Sequence, residues 1–397
     1  MTKAKASIEY NIEWDETFQM LSWWHKEKVR DAKVMVVGAG ALGNEVLKNL
    51  ALLNVGNILI VDYDTIEFAN LSRSVLFREK DCEGGKLKAD VAAERIKEMN
   101  PNVKVTVING DISCDVGYGV IKRMDVVIGC LDNRLARRNI NRACYRTQKK
   151  WIDGAIENLM GQAIAYVPGK SCYECTLSQN DLDIIRYQMG CADVARRNLA
   201  YGRIPTTPIS ASIIAAVQVQ EALKVIHNYD NKLLMDKLFF YEGMSNEIGH
   251  YKTTSLKNDC QSHYTYESII ESKELSSKNT AAETLRWLRE YFSDPEPVIR
   301  LDHRLIFEIS PESTGKKIPL TIPFPHLSDN IIQKYMIKPD ERIFITDDID
   351  YIDKDFPKMN LTLAEVGIPP LHILRVVTGG KIRYVELTAD EKYLNFQ

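Results

Sequence analysis

The chain has 397 residues, of which 45% are hydrophobic and 26% charged, and its formal net charge is −3. That length allows roughly two to three domains with a sizeable core, and the charge balance offers no electrostatic basis for a nucleic-acid partner. The opening stretch MTKAKASIEYNIEWDETF lacks the apolar core of a signal peptide, and no apolar run reads as long enough to span a bilayer. A cytoplasmic location without a membrane partner is therefore expected, and the eight cysteines read as thiols or metal ligands rather than disulfides.

In chain order, residues 1–32 are expected to form an N-terminal helical segment. Four apolar residues, Val34 to Val37, then predict a buried strand, and Gly38, Gly40 and Gly43 follow at G-x-G-x-x-G spacing. Gly38 would allow the tight turn, Gly40 the close approach of backbone to phosphate, and Gly43 the packing of helix on strand. Val46, Leu47, Leu50 and Leu53 recur at helical spacing, so the helix start would aim its amides at an anion. A second strand, Ile58 to Val61, ends in Asp62, placed to hold a ribose hydroxyl. This much suits an adenine nucleotide without saying which, and NAD, FAD and ATP remain open.

Asn70, Arg73 and Lys88 follow the second strand, where a triphosphate would extend from the glycine loop. The strand DVVIGCLDN, with its apolar core at Asp125–Gly129, ends in Asp132 and Asn133 at the edge where sheet ligands bind. A carboxylate facing a polyphosphate calls for a bridging cation, usually Mg²⁺. The set fits an ATP attacked at its α-phosphate, with Arg73 and Lys88 stabilising the transition-state charge. The bland reading makes the two cations surface charges and Asp132 a cap for the helix NRLARRNINRAC. A further strand at Val103–Ile108 and helical patterns running to about Ile226 complete an α/β order, a Rossmann-like, mostly parallel sheet.

The stretches VVGAGALGNEVLKNLAL, VDYDTIEFANLSRSVLF, GGKLKADVAAERI, CLDNRLARRNIN, GKSCYECT and TTPISASIIAAVQVQEALK carry a resemblance. From about Lys33 to His263 the chain resembles the ATP-binding adenylyltransferase domain of the ubiquitin-activating-enzyme superfamily. The resemblance implies Asp62 on ribose, Asn70, Arg73 and Lys88 on the phosphates and Asp132 on magnesium. It also implies, as substrate, a ubiquitin-like protein whose C-terminal glycine is adenylated, and a dimeric enzyme, with a homodimer expected. One departure is clear: the arginine-bearing segment that the family has before its first strand is replaced by WDETFQMLSWWHKEKVRDAK, with no arginine before Arg30. Trp23 and Trp24 read as core or interface residues.

Cys172 and Cys175 stand at C-x₂-C spacing, open to a half zinc site, a redox pair or packed thiols. Cys260 and His263 repeat the x₂ spacing, so the two pairs together can make a tetrahedral Cys₃His zinc site. The superfamily often holds zinc on two C-x-x-C pairs at these points, and here His263 stands for the last cysteine. Cys191, in a loop of about residues 176–206 before the TTP helix, could begin the helix ADVARRNLA. That terminus, with Arg196 and Arg197 and against Asp193, would lower its thiol pKa. Its place resembles the thioester cysteine of eukaryotic-type activating enzymes, which carry a larger helical insertion there. The alternative is a cysteine packed on its loop.

Residues 33–268 are thus expected to form the adenylation domain with this loop and a zinc knuckle. The polar stretch Glu271–Glu283 reads as a linker running into a helix at Ala281–Tyr291. Residues 276–397, with VIRLDHRLIFEI, ERIFIT, LHILRVV and KIRYVEL as strands, would form a small α+β domain. Asn360 to Leu387 resembles the ubiquitin-fold domain that recruits a conjugating enzyme. The run from Asp340 to Asp355 holds seven acidic residues against one Arg and one Lys, a solvated face or a dock for a basic helix. The reading is a ubiquitin-like activating enzyme, with three rivals: a sulfur-carrier adenylyltransferase that stops at the adenylate, a dinucleotide-dependent oxidoreductase, and an inactive scaffold subunit.

Overall fold

The computed structural model describes residues 14–182, 205–327, 329–336, 338, 341–394 and 396. Strands β1 (Lys33–Val37), β2 (Asn57–Val61), β3 (Lys104–Ile108), β4 (Val126–Gly129) and β5 (Lys150–Glu157) lie parallel to one another. β6 (Met160–Tyr166), β7 (Lys237–Glu242) and β8 (Glu247–Lys252) extend the sheet antiparallel. The order is β3-β2-β1-β4-β5-β6-β7-β8, so the chain reverses direction of growth between β1 and β4. The strands expected from the sequence fall within one residue of β1 to β4.

Helix α1 (Lys26–Asp31) precedes β1, and α6 (Tyr173–Thr176) follows β6. Alternation along β1 divides the core. Val34 and Val36 face helices α2 (Ala41–Leu52), α3 (Lys88–Met99) and α7 (Pro208–Ile226), packing with Val46, Leu50, Ile96 and Val219. Met35 and Val37 face the other layer, with α4 (Tyr118–Lys122) and α5 (Arg134–Arg146) supplying Val120, Ile121 and Ile140. A strand buried on both faces has no polar position to spare, which is why β1 reads as an unbroken apolar run. Helix α7 starts at Pro208, with Thr207 Oγ1 accepting from the Ser210 amide at 3.2 Å. By length and composition this helix could cross a bilayer, which corrects the expectation that no such run exists. Its apolar length instead covers the sheet, with Ile214, Ala215 and Ala222 fully buried there.

A second sheet follows. Strands β9 (Ile270–Ser272), β10 (Val298–Pro311), β11 (Ile318–Pro323), β12 (Ile343–Ile352), β13 (Ile373–Thr378) and β14 (Lys381–Leu387) run in the order β11-β10-β13-β14-β9, with β12 also on β10. β9 pairs parallel with β14, and the other pairs are antiparallel. The presence of β9 corrects the reading of residues 271–283 as a linker: the last strand needs a neighbour on its outer edge, and Ile270–Ser272 provides it. Helix α8 (Ala281–Phe292) begins with a capping box, the Glu283 amide donating to Thr280 Oγ1 at 3.2 Å and the Thr280 amide to Glu283 Oε2 at 2.9 Å. Its Leu285 and Leu288 bury against Ile299, Leu374 and Val385.

The two sheets are joined at α4. Leu371, with φ 57°, inserts into the core of the first unit, and its carbonyl accepts the Gly119 amide at 2.9 Å. Glu386 is fully buried on β14, where Lys122 donates to it at 2.7 Å and Arg123 pairs with its other oxygen. Removing one partner from such a pair strands the opposite charge, at a typical cost of about 3–5 kcal/mol. Glu386→Ala is therefore expected to destabilise the chain by about 3 kcal/mol in equilibrium urea unfolding, whereas Glu271→Ala, an exposed partner of the same Lys122, should change stability by less than about 1 kcal/mol.

Candidate active site

β1 delivers the chain into a turn at Gly38, whose φ of 95° suits only glycine without strain. A Cβ at Gly38 would also lie 2.4 Å from the Cys130 carbonyl oxygen, and one at Gly43 would lie 1.9 Å from that of Gly38. Gly40 differs: nothing stands within 4 Å of its would-be Cβ, so the space above it is open to a ligand. Buried Asn44 fixes the loop, donating to the Ala39 and Gly40 carbonyls at 2.7 and 3.0 Å. Its Oδ1 accepts the Leu76 amide at 2.8 Å, which ties the loop bearing Arg73 to the same point.

Around this turn lies a cleft of about 630 Å³ at the carboxyl edge of the parallel strands, the place where open α/β sheets take ligands. Gly38, Gly40, Asp62, Asn70, Arg73, Lys88 and Asp132 all line it. Gly43 stands behind, as the packing glycine between α2 and the turn. The volume is within the ordinary range for a small-ligand or cofactor site.

Each lining side chain is held in its own way. Asp62 accepts from the Ala39 amide at 2.6 Å and the Asp64 amide at 2.8 Å, so it anchors the glycine loop as well as facing the cleft. Burial raises its carboxyl above the ordinary value, opposed by those amides and by Lys88. Lys88 opens α3 and pairs with Asp64 at 2.7 Å. Asn70 Oδ1 accepts the Glu67 amide at 2.9 Å, and Arg73 donates to the Ala69 carbonyl at 2.7 Å. Asp132 is exposed to the cleft, with no ion-pair partner among the described residues. The alternative role of helix cap belongs to its neighbour: Asn133 Oδ1 accepts the Ala136 amide at 2.7 Å.

Sequence reasoning missed Arg137. It lines the cleft on α5, donating to buried Asp153 at 3.0 Å and to the Gly154 carbonyl at 3.1 Å. Burial raises the Asp153 carboxyl, and Arg137 opposes that shift. Its position one helical turn after Asn133 was the available signal, masked by the neighbouring Arg134 and Arg138. Those two point elsewhere, to Asp181 and Glu174.

The two cysteine pairs meet. Cys172 Sγ lies 3.7 Å from Cys175 Sγ and 3.6 Å from Cys260 Sγ, and Cys175 Sγ lies 3.3 Å from His263 Nε2. A tetrahedron of thiolates about 2.3 Å from a zinc has edges of about 3.8 Å, so the four donors can hold such an ion with little movement. Tyr145 stacks on His263 with centroids 4.8 Å apart. The knuckle is bolted to α5, where Glu174 pairs with Arg138 and with Arg142 at 3.0 Å and accepts from Ser262 at 2.8 Å. Cys191, the expected thioester residue, lies outside the described residues. Arg30, the first arginine of the chain, pairs with Asp15 at 3.0 Å and is not among the residues lining the cleft.

Residues 15–262 match the model of the ThiF family. SUMO-activating enzyme subunit 2 of Dictyostelium discoideum is 39% identical over 151 residues, 38% of this chain and 22% of its own length. Molybdopterin-synthase adenylyltransferase of Escherichia coli is 26% identical over 236 residues, 57% of this chain and 85% of its own length. Ubiquitin-like modifier-activating enzyme 5 of D. discoideum is 31% identical over 215 residues, 50% of this chain and 54% of its own length. The chain spans only about a quarter of the length of the first curated relatives it matches, 22% and 27%. Among solved structures, E. coli MccB with succinimide superposes with a TM-score of 0.51 at 24% identity, covering 64% of this chain and 75% of that one, a likeness of fold.

The glycines separate turn from ligand space. Gly38→Ala is expected to lower stability by at least about 1–2 kcal/mol, because φ is left-handed there. Gly40→Ala should leave the melting temperature within about 2 °C of wild type but weaken ATP binding at least about tenfold, since its methyl fills the space a phosphate would take. Calorimetric unfolding and ATP titration of both variants check the pair.

Proposed function

The chain belongs to the ThiF family, and from that premise we propose that it uses ATP to adenylate the C-terminal glycine of a ubiquitin-like protein. The observation that carries the reading is the cleft itself: an open Gly40, three cations (Arg73, Lys88 and Arg137) and the carboxylate of Asp132, without an ion-pair partner among the described residues, converge at one sheet edge. A dinucleotide-dependent oxidoreductase would share the glycine loop but has no evident use for that set. The superfamily names of the relatives, SUMO-activating enzyme, ubiquitin-like modifier-activating enzyme and molybdopterin-synthase adenylyltransferase, support the same chemistry.

In this reading the glycine carboxylate oxygen attacks the α-phosphorus of ATP and pyrophosphate leaves. Arg73 and Lys88, which line the cleft, would draw charge from the triphosphate, and Asp62 would accept a ribose hydroxyl. Asp132 would hold Mg²⁺, which offsets the phosphate charge. The Cys191 thiolate would then attack the acyl carbonyl and AMP would leave, giving a thioester. The second sheet, with its acidic β12, would receive a conjugating enzyme. We also propose a homodimer, a cytoplasmic location, and a structural Zn²⁺ on Cys172, Cys175, Cys260 and His263, which fits the donor spacing.

A second reading stops at the adenylate, as a sulfur-carrier adenylyltransferase. It is favoured by one observation: the chain covers 85% of the molybdopterin-synthase adenylyltransferase but 22% of the SUMO-activating subunit. Cys191 discriminates. With a ubiquitin-like partner and Mg²⁺, the wild type should exchange labelled pyrophosphate into ATP, and Asp132→Ala should lose at least about a hundredfold of that exchange. Cys191→Ala should keep exchange and lose a covalent adduct that thiol reductant cleaves. Absence of any reducible adduct from wild type, with exchange intact, would favour the sulfur-carrier reading.

The zinc proposal has its own measurement. Elemental analysis of freshly purified protein should find one Zn²⁺ per chain, and Cys260→Ser should lose the metal and lower the melting temperature while leaving ATP affinity within about twofold. Metal-free wild-type protein of full stability would count against it.

A further inference from the structure

We infer that the second sheet completes the nucleotide cleft, with His326 and His303 as positioning residues for its Gly110–Ile112 wall; this rests on the adenylation reading above. The wall follows β3, and Gly110, Asp111 and Ile112 all line the cleft. It is one tight turn, in which Ser113 and Asp115 amides donate to Asp111 Oδ1 and to the Asp111 carbonyl, both at 2.8 Å. Its back is closed by Asp115, whose Oδ2 accepts the Asp111 amide at 2.7 Å.

The other side of that turn is met by two side chains of the second unit. His326, in the 3₁₀ turn after β11, binds Asp115 Oδ1 through Nε2 at 2.8 Å. His303, on β10, donates from Nε2 to the Ser113 carbonyl at 2.7 Å. Asp115 thus bridges the cleft wall and an imidazole from a segment 211 residues away. A Cβ on Gly110 would lie 2.6 Å from Asp115 Cβ, so the wall has no slack against the carboxylate. Shifting Asp115 must shift the wall.

Cys114, Asp115 and His326 also have the residue types of a metal site. The 2.8 Å separation of Nε2 and Oδ1 is a hydrogen-bond length, shorter than the roughly 3.3 Å edge that two such ligands leave around zinc. A proton joins them. The groups facing His326 are Asp115, the neutral Cys114 thiol (its pKa raised by burial) and, further off, Asp111; Tyr393 faces Asp115. The bond to Asp115 raises the His326 pKa above its ordinary value, so the charged pair is complete below about pH 6.5 and fades as pH rises through the raised value.

The test is ATP affinity of the full chain, titrated with Mg²⁺ across pH 6 to 9, together with the steady-state KM for ATP. His326→Ala should weaken ATP at least about fivefold, raising KM while kcat holds. Wild-type affinity should fall as the pH rises, and His326→Gln, which still donates an N–H but does not titrate, should restore most of the affinity with a flat pH profile. His303→Gln should sit close to wild type. A His326→Ala chain that binds ATP like wild type overturns the inference alone, as does a His326→Gln profile that tracks wild type. Wild-type protein that binds no ATP at any pH overturns the adenylation reading and this inference together.

Discussion

A point with no side chain organises this molecule. Where β1 ends, the Gly38 backbone packs on the Cys130 carbonyl of β4, and the Gly43 backbone of α2 packs on Gly38 in turn. Strand, turn, helix and neighbouring strand come together at distances that even one methyl group would forbid. The Gly38 amide donates to the Val61 carbonyl at 2.8 Å, and the Cys130 amide to that of Val37 at 2.8 Å, so the ends of β2 and β4 are held to the same turn. Because the strands leave this point on opposite sides, a crevice opens above it, and backbone amides reach its floor.

Asn44 carries that constraint outward. Its three hydrogen bonds lie inside the core, where each is worth more than at a wet surface and where losing one would leave a buried polar atom unmet. Through Leu76 it sets the loop bearing Asn70 and Arg73, both of which line the cleft. On the opposite wall, Arg137 is held by Asp153 and two carbonyls. Positioned charges of this kind, fixed before any ligand arrives, are the usual source of rate in phosphoryl and adenylyl transfer.

The second unit is bound to the first through charge as much as apolar area. Glu386, the Asp302–His372–Arg375 cluster and the His326–Asp115 pair lie along the contact, with His372 3.1 Å and Arg375 3.1 Å from Asp302. The hydrogen bond from His372 first, and then the charges of Arg375 and Arg146, hold the Asp302 carboxyl well below the usual range against the burial that would raise it. Glu386 is the buried charge that spans the two units, and a buried pair is costly to break from one side, so its bonds to Lys122 and Arg123 favour a single arrangement of the two sheets. An arrangement fixed in this way puts β12, with its acidic face, at a set distance from the cleft.

The sequence alone determined the parallel strands, the glycine turn and the residue types lining the cleft. Those rest on short-range rules: unbroken apolar runs for strands buried on both faces, fixed glycine spacing, helical recurrence of Val46, Leu47 and Leu50. The C-x₂-C and C-x₂-H pairs were legible for the same reason, as was the helix read at Ala281–Tyr291, whose Thr280–Glu283 cap the structure then supplied. Tertiary structure decided what joins across distance. It brought Cys172 to Cys260 across 88 residues and His326 to Asp115 across 211, turned part of an expected linker into β9, and placed Arg137 in the cleft while sending Arg134 and Arg138 away. Periodicity tells which face of an element is buried, but not which other face it is buried against. That choice is made by the packing of the whole chain, and the long-range pairs of this site exist only after it is made.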